Sequence, residues 1–122
     1  MKYKIINGLK VYAPLSRDQL IDKAKAEKRI LIAINAEKIL TKNENLKSIV
    51  KENIGYPDGF GAILALRRKG LNQVKKIPGC ELWLEIIKKN RKESFFLIGG
   101  KQEVIQKTID KLQHLFDDIN IV

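Results

Sequence analysis

Short apolar runs alternate with longer amphipathic segments along this chain, and the alternation restricts the fold more than any other feature of the sequence. The run ILIAI, which follows Arg29, is continuous and rich in aliphatic residues, which favours a strand covered on both faces. The run SFFLIGG, which begins at Ser94, has the same character and ends in paired glycines. Strands that alternate with helices predict an α/β fold with a mostly parallel sheet and right-handed crossovers.

The first residues of the chain predict a β-hairpin. The β-prone runs KYKII and LKVYA flank Asn7-Gly8, the dipeptide that best tolerates the positive φ angles of a type I′ turn. The predicted architecture is therefore a Rossmann-like, mostly parallel sheet with flanking helices, preceded by this N-terminal hairpin. Because no repeat, low-complexity tract or linker divides the chain, we expect residues 1–122 to form a single domain.

Local signals position the remaining elements. Ser16 followed by Gln19 resembles a capping box and predicts a helix over about residues 17–28. A polar stretch near Asn43 separates two helical pieces, and a glycine ends a further helix. Trp83 shares an apolar helical stripe with Ile87 and is expected in the core. Short strands are expected near 53–56 and 119–122, and helices over 60–68, ELWLEIIKKN and KQEVIQKTIDKLQHLF.

The composition limits the compartment and the partners. The chain carries 24 Lys and Arg against 14 Asp and Glu, a formal charge of +10, which favours nucleic acid, an anionic membrane surface or phosphorylated ligands. A lysine-rich surface can equally serve solubility alone. The longest apolar runs are far shorter than the ~20 residues of a membrane-spanning helix. Since Cys80 is the only cysteine, no intrachain disulfide can form, and a reducing cytosol is expected.

Three strand-to-helix junctions could carry chemistry, because ligands of doubly wound sheets bind beyond the carboxyl ends of the strands. These junctions are residues 33–37, 56–61 and 98–101. Glycines allow close approach of a ligand, and free N–H groups at a helix start favour an anion such as a diphosphate. None of the junctions matches a P-loop or a GxGxxG fingerprint.

Each candidate also has a purely structural interpretation. Asp58, in a Pro-Asp-Gly turn, is either a catalytic carboxylate or a turn and capping residue. Gly99-Gly100 is either a ligand cradle or a tight turn, and Lys75-Lys76 either binds phosphate or is simply solvated. Cys80 is interpreted as a small packing residue and His114 as a surface or capping residue, and no metal site is predicted.

Four segments at these junctions resemble the WecG/TagA/CpsF glycosyltransferase family. They occur in the family's order and cover nearly the whole chain: IAINAEKIL, NIGYPDGFGAILALRRKG, KKIPGCELWLEIIKK and FFLIGGKQEVIQKTIDKL. The resemblance implies a bacterial enzyme that moves an N-acetylmannosamine-type sugar, or a related hexose, from a UDP-sugar to a polyprenyl-diphosphate-linked acceptor. It further implies a role in teichoic acid or other surface polysaccharide synthesis, inversion at the anomeric carbon, and no metal or other cofactor.

The resemblance also assigns roles to individual residues. Asp58 matches the proposed general base, Asn35 matches an asparagine of the nucleotide-sugar pocket, and Lys76 stands where many relatives have a basic residue. The charge that develops on UDP would be met by Lys76 and by the helix start at Gly99, Gly100 and Lys101. Ala33 departs from the pattern, since many relatives have Thr at that position.

The expected partners are the UDP-sugar donor, the lipid-linked acceptor, a second copy of the chain in a homo-oligomer, and the inner face of the cell membrane. The family continues beyond the position of Val122, so the chain is expected to be C-terminally incomplete, and a non-catalytic truncated relative is one alternative. A basic nucleic-acid-binding module is the other, because residues 67–92 hold nine Lys or Arg against two Glu. Nucleic acid is not expected, since interleaved aromatics and an RNA-binding signature are lacking.

Overall fold

The chain forms six strands and six helices in the computed structural model, which describes residues 1–122. The strands are β1 (Lys2–Ile6), β2 (Leu9–Ala13), β3 (Leu31–Ile34), β4 (Ile54–Pro57), β5 (Ser94–Phe95) and β6 (Asn120–Ile121). The helices are α1 (Arg17–Glu27), α2 (Ala36–Ile39), α3 (Glu44–Glu52), α4 (Phe60–Arg68), α5 (Gly79–Lys89) and α6 (Gln102–Leu115).

Four strands form the main sheet in the order β1-β2-β4-β3. β1 and β2 are antiparallel, whereas β2 and β3 both run parallel to β4. In the hairpin Ile6 pairs with Leu9, and φ is 48° at Asn7 and 79° at Gly8, as a two-residue type I′ turn requires. The predicted α/β fold, with a mostly parallel sheet, flanking helices and an N-terminal hairpin, is therefore confirmed.

β4 is one of the two interior strands of this sheet, and all four of its residues are buried. β3 lies at the edge instead, so Leu31, Ile32 and Ala33 stay partly exposed and only Ile34 is fully buried. The expectation that the ILIAI run is covered on both faces is wrong, because an apolar run does not encode which neighbours it will have in the sheet.

Close packing explains the glycine in β4, Gly55. A Cβ atom on Gly55 would lie 2.8 Å from the carbonyl oxygen of Lys10 and 3.1 Å from the side chains of Ile34 and Val50. Apolar side chains of the hairpin, β3 and the helices pack on this sheet as one cluster, whose fully buried members include Leu9, Val11, Ile34, Val50 and Leu66.

Helix starts follow the capping chemistry of the sequence. The Ser16 hydroxyl accepts a hydrogen bond of 3.1 Å from the Gln19 amide and begins α1. The Asn43 side chain accepts from the amides of Asn45 and Leu46 and begins α3. α4 spans the predicted residues 60–68. The predicted boundaries are therefore close for the two helices that a side chain caps, α1 and α3, and also for α4, which begins after a glycine.

The chain divides into two compact units, Met1–Leu82 and Trp83–Val122. In the second unit β5 pairs in parallel with β6, and Ile87 and Leu112 are buried. The strand expected over SFFLIGG is limited to Ser94–Phe95, because its partner β6 offers only two residues for pairing. That all 122 residues form one domain stays a prediction.

The expectation that Trp83 lies in the core is wrong. Its side chain is 37% exposed, although Ile87 on the same helical stripe is buried. None of the helices is both long enough and apolar enough to span a membrane.

Candidate functional site

Two parallel strands bring Asn35 and Asp58 to the same edge of the main sheet. Ile34 at the end of β3 pairs with Pro57 at the end of β4, and each candidate residue follows its strand directly. The Asp58 amide also donates a hydrogen bond of 3.0 Å to the carbonyl oxygen of Ile34. The carboxyl ends of the strands therefore hold the two side chains side by side, where ligands of such sheets bind.

Asn35 has a structural task that determines which of its atoms can bind a ligand. The residue is exposed, and its Oδ1 accepts a hydrogen bond of 2.9 Å from the Lys38 amide, which caps α2. Because Oδ1 is committed to the cap, the amide nitrogen Nδ2 is the group that Asn35 offers to a ligand. Asn35 is thus suited to donate a hydrogen bond to an oxygen of a sugar or a phosphate.

A loop before α5 brings Lys76 to the same edge. The buried residue Ile77 donates its amide hydrogen to the carbonyl oxygen of Pro57, over 3.1 Å. Lys76 directly precedes Ile77, and Asp58 directly follows Pro57. This backbone hydrogen bond therefore holds the loop that carries Lys76 against the loop that carries Asp58. Lys76 itself is exposed and available to an anion.

Gly79, the first residue of α5, lies against the end of β4. A Cβ atom on Gly79 would stand 3.1 Å from Tyr56 Oη and 3.3 Å from Asp58 Oδ2. The start of α5 therefore packs closely against the Tyr56 hydroxyl and the Asp58 carboxylate, and a larger residue than glycine would press on both. Tyr56 and Gly79 are not among the site residues predicted from the sequence, although they lie in the segments Tyr56-Pro57-Asp58-Gly59 and Lys76-Ile77-Pro78-Gly79 of the family resemblance.

Tyr56 keeps its proton over a wide pH range. Only 5% of the residue is exposed, and burial, followed by the negative charge of Asp58 and by Cys80, raises the pKa of its phenol from 10.0 to about 12. The hydroxyl is therefore a hydrogen-bond donor at neutral pH.

The backbone after Asp58 takes a conformation reserved for glycine. Gly59 has φ of 121° and ψ of 159°, a region that side chains exclude, and it precedes α4 without any side-chain cap. Gly61, the second residue of α4, packs so closely on α2 that a Cβ atom would lie 2.9 Å from Ala36 Cβ. These glycines bring the start of α4 close to Asp58 and to the capped start of α2.

A family model described as the glycosyl transferase WecG/TagA/CpsF family matches residues 6–122 of this chain. The chain belongs to this family. The match includes Asn35, Tyr56, Asp58, Lys76 and Gly79, and it confirms the resemblance seen in the sequence. As a member of the WecG/TagA/CpsF family, the chain belongs among glycosyltransferases, whose substrates are a sugar donor and an acceptor.

The third strand-to-helix junction expected to bind substrate, at Gly99, Gly100 and Lys101, lies in the second unit of this WecG/TagA/CpsF chain. Gly99 and Gly100 have φ of 113° and 73°, and Lys101 precedes the 14-residue helix α6 without a side-chain cap. All three residues are exposed. The turn is thus a helix start with free N–H groups, and binding of a diphosphate by Gly99, Gly100 and Lys101 stays a prediction.

Two further expectations concern single residues of this WecG/TagA/CpsF protein. Cys80 is exposed, so its interpretation as a packing residue is wrong. It is the second residue of α5, at the exposed start of that helix. His114 is exposed in the last turn of α6, as expected of a surface or capping residue. No group of three or more His, Cys, Asp or Glu side chains is arranged to hold a metal ion.

Proposed function

We propose that this chain transfers an N-acetylmannosamine-type sugar, or a related hexose, from a UDP-sugar to a polyprenyl-diphosphate-linked acceptor. The main support is that backbone pairing brings the loops of Asn35, Asp58 and Lys76 to one sheet edge, in a chain that matches a glycosyltransferase family over residues 6–122. A carboxylate, an amide donor and a cation at the carboxyl ends of parallel strands suit a nucleotide-sugar site.

Asp58 acts as the general base in this proposal. The acceptor hydroxyl gives its proton to the carboxylate while its oxygen attacks the anomeric carbon from the face opposite UDP, so the configuration is inverted. The hydrogen bond from the Asp58 amide to Ile34 fixes the backbone at this point. A base on a fixed backbone keeps its position while substrates bind and products leave.

Lys76 and Asn35 act on the donor. The bond between the anomeric carbon and UDP breaks with its electron pair on the diphosphate oxygen, and the Lys76 ammonium stabilises that charge. Asn35 Nδ2 donates to an oxygen of the nucleotide sugar, since Oδ1 is used by the cap of α2. The uncapped start of α4 adds backbone N–H groups beside Asp58.

Titration calorimetry with UDP, followed by a transfer assay, tests the proposal. The chain should bind UDP saturably, and Asp58→Asn should bind UDP with about the same affinity but transfer sugar at least ~100-fold more slowly, because general-base catalysis contributes that much. Asp117→Asn, at an exposed aspartate of the second unit, is the matched control and should transfer normally.

Each result decides between the alternatives. An unchanged transfer rate in Asp58→Asn would eliminate Asp58 as the base, and the absence of saturable UDP binding would overturn the proposal for this chain. Saturable UDP binding without transfer by the unmodified chain would favour the non-catalytic relative.

A further inference from the structure

A cavity of about 590 Å³ lies at the strand-end edge of the main sheet, apart from the residues described above. Ala13, the last residue of β2, lines it together with Lys2, the first residue of β1, and the two are paired in the hairpin. Leu15 and Gln19, at the start of α1, contribute a second wall, and residues 70–73, after α4, contribute a third. The volume is typical of a site for a small molecule.

The cavity is next to the candidate base along this edge. β2 runs parallel to β4, and Val11 pairs with Gly55. Two residues further along each strand, Ala13 reaches the level of Pro57, which directly precedes Asp58. Since neighbouring strands lie about 4.8 Å apart, the cavity begins about one strand spacing from the backbone that leads into Asp58.

The polar groups of the cavity favour an anion that carries hydroxyl groups. None of its nine lining residues is acidic, and Lys2 contributes an ammonium group. Three carboxamide side chains also line it, those of Gln19, Asn72 and Gln73. Gln19 Oε1 accepts a hydrogen bond of 2.9 Å from the Leu15 amide, so its Nε2 is the group available as a donor. A cation beside several amide groups is suited to bind the oxygens of a phosphorylated sugar.

We infer that this cavity binds the head of the acceptor, with Lys2 on a phosphate oxygen and the carboxamides on hydroxyl groups of the linked sugar. The inference rests on the proposed function. The strand order β1-β2-β4-β3 brings Lys2, the cavity, Asp58 and Asn35 to the edge in that sequence. Asp58 therefore lies between the cavity and Asn35, which is proposed to bind the donor. An inverting transfer needs this order, because the acceptor attacks from the face opposite UDP and gives its proton to the base.

The spacing of the strands agrees with the size of such a ligand. One strand separates β1 from β4, so the backbones that carry Lys2 and Asp58 are about 10 Å apart, or two strand spacings. A hexose 1-phosphate spans this distance together with the reach of the two side chains. Leu15 and Leu71 line the same cavity, and Leu15 is 53% exposed, so apolar surface is available to the first part of the lipid chain.

Protein-observed NMR with three probes tests the inference on the whole chain. The probes are octyl-diphosphate-linked glucose, octyl diphosphate and octyl glucoside, which share the alkyl chain and differ in the anion and the sugar. The first probe should shift the amide signals of Ala13 and of residues 71–73. Lys2→Gln should weaken binding of both diphosphate probes about 3- to 10-fold, because a charge-assisted hydrogen bond is lost, and leave that of octyl glucoside unchanged.

Matched variants separate this site from a general effect of charge. Lys4→Gln removes the same charge from the same strand outside the cavity and should bind all three probes like the unmodified chain. The double variant Asn72→Ala/Gln73→Ala changes two exposed residues and should weaken binding of the two sugar probes at least ~3-fold, but not that of octyl diphosphate. UDP affinity should stay within about twofold in every variant.

The failure of this inference differs from the failure of the proposed function. Equal losses in Lys2→Gln and Lys4→Gln, shifted amides outside the cavity, or no probe binding by a chain that binds UDP would overturn the inference and leave the proposed function standing. If neither UDP nor any of the three probes binds, both are overturned.

Discussion

The ring of Tyr56 is buried beside the carboxylate of Asp58, and this arrangement changes the chemistry of both oxygens. Withdrawal from water disfavours the phenolate, and the neighbouring negative charge disfavours it further, so the pKa of Tyr56 rises to about 12. At the scale of single residues, the site therefore pairs a neutral donor with an ionisable carboxylate. Two glycines contribute because they have no side chain: Gly59 has φ of 121°, and a Cβ atom on Gly79 would press on Tyr56 Oη and Asp58 Oδ2.

The raised pKa of Tyr56 predicts an alkaline loss of stability. The folded protein holds the phenol proton more tightly than the unfolded chain, whose tyrosine titrates at about 10, so this contribution is complete below about pH 10 and is lost as pH rises towards 12. Urea unfolding at about pH 9 and about pH 11 should show a larger fall in the free energy of unfolding for the unmodified chain than for Tyr56→Phe. Equal falls in the two proteins would contradict the raised pKa.

Helices α2 and α4 meet at a contact between Gly61 and Ala36, and this contact organises the site at the scale of secondary structure elements. A Cβ atom on Gly61 would come within 2.9 Å of Ala36 Cβ, a separation that requires the helices to move apart. α2 begins at the Asn35 cap and α4 begins two residues after Asp58. The Gly61–Ala36 contact therefore acts together with the pairing of β3 and β4 on the relative positions of Asn35 and Asp58.

Gly61→Ala tests this spacing. We expect a loss of about 1–3 kcal/mol in the free energy of unfolding, typical of overpacking, and weaker UDP binding because the Asn35 cap is displaced. Ala36→Gly in the same chain removes the opposing methyl group, so the double variant should regain most of the lost affinity. A double-mutant cycle by denaturation and calorimetry measures the coupling; strictly additive effects would show that the two residues do not press on one another.

The whole molecule carries a formal charge of +10, and most of its lysines are exposed. A membrane-embedded acceptor presents its diphosphate at a surface of anionic lipid, which attracts basic proteins by about 1 kcal/mol per lysine or arginine close to it. If the chain has the proposed function, we expect this charge to hold it close to the membrane where the acceptor lies.

Vesicle flotation tests the membrane role of the charge. The chain should float with vesicles that contain phosphatidylglycerol at low salt, remain in solution with pure phosphatidylcholine, and leave the anionic vesicles at ~0.5 M salt, where screening acts over a few ångströms. Equal flotation with both lipids, or flotation that persists at high salt, would contradict an electrostatic attachment.

Features that depend on neighbours in sequence were predictable. The Asn7-Gly8 turn, the Ser16 cap and the extent of α4 depend on local backbone and side-chain chemistry, and the structure has each of them. The meeting of Asn35 with Asp58 was also accessible, because residues after parallel strands share one edge of a sheet. The family resemblance identified which strand-end residues to examine.

Features that depend on distant packing were not predictable from the pattern. The hydrophobicity of β3 and of SFFLIGG indicates strands but does not indicate their partners. The sequence therefore predicted neither the edge position of β3 nor the two-residue length of β5. Trp83 and Cys80 fit a core by residue type, yet both are exposed. Residue type and spacing do not specify which face of a helix another element will cover.

The sequence by itself determined the fold class, the hairpin turn, the helix starts and the family, because each depends on short-range geometry or on motifs written in order along the chain. Only the tertiary structure decided that Gly79 closes on Tyr56 and Asp58. That meeting depends on one long-range hydrogen bond, from the Ile77 amide to the Pro57 carbonyl, which folds the loop before α5 onto the end of β4. A contact of this kind exists only when the intervening helix has packed, and no local pattern encodes it.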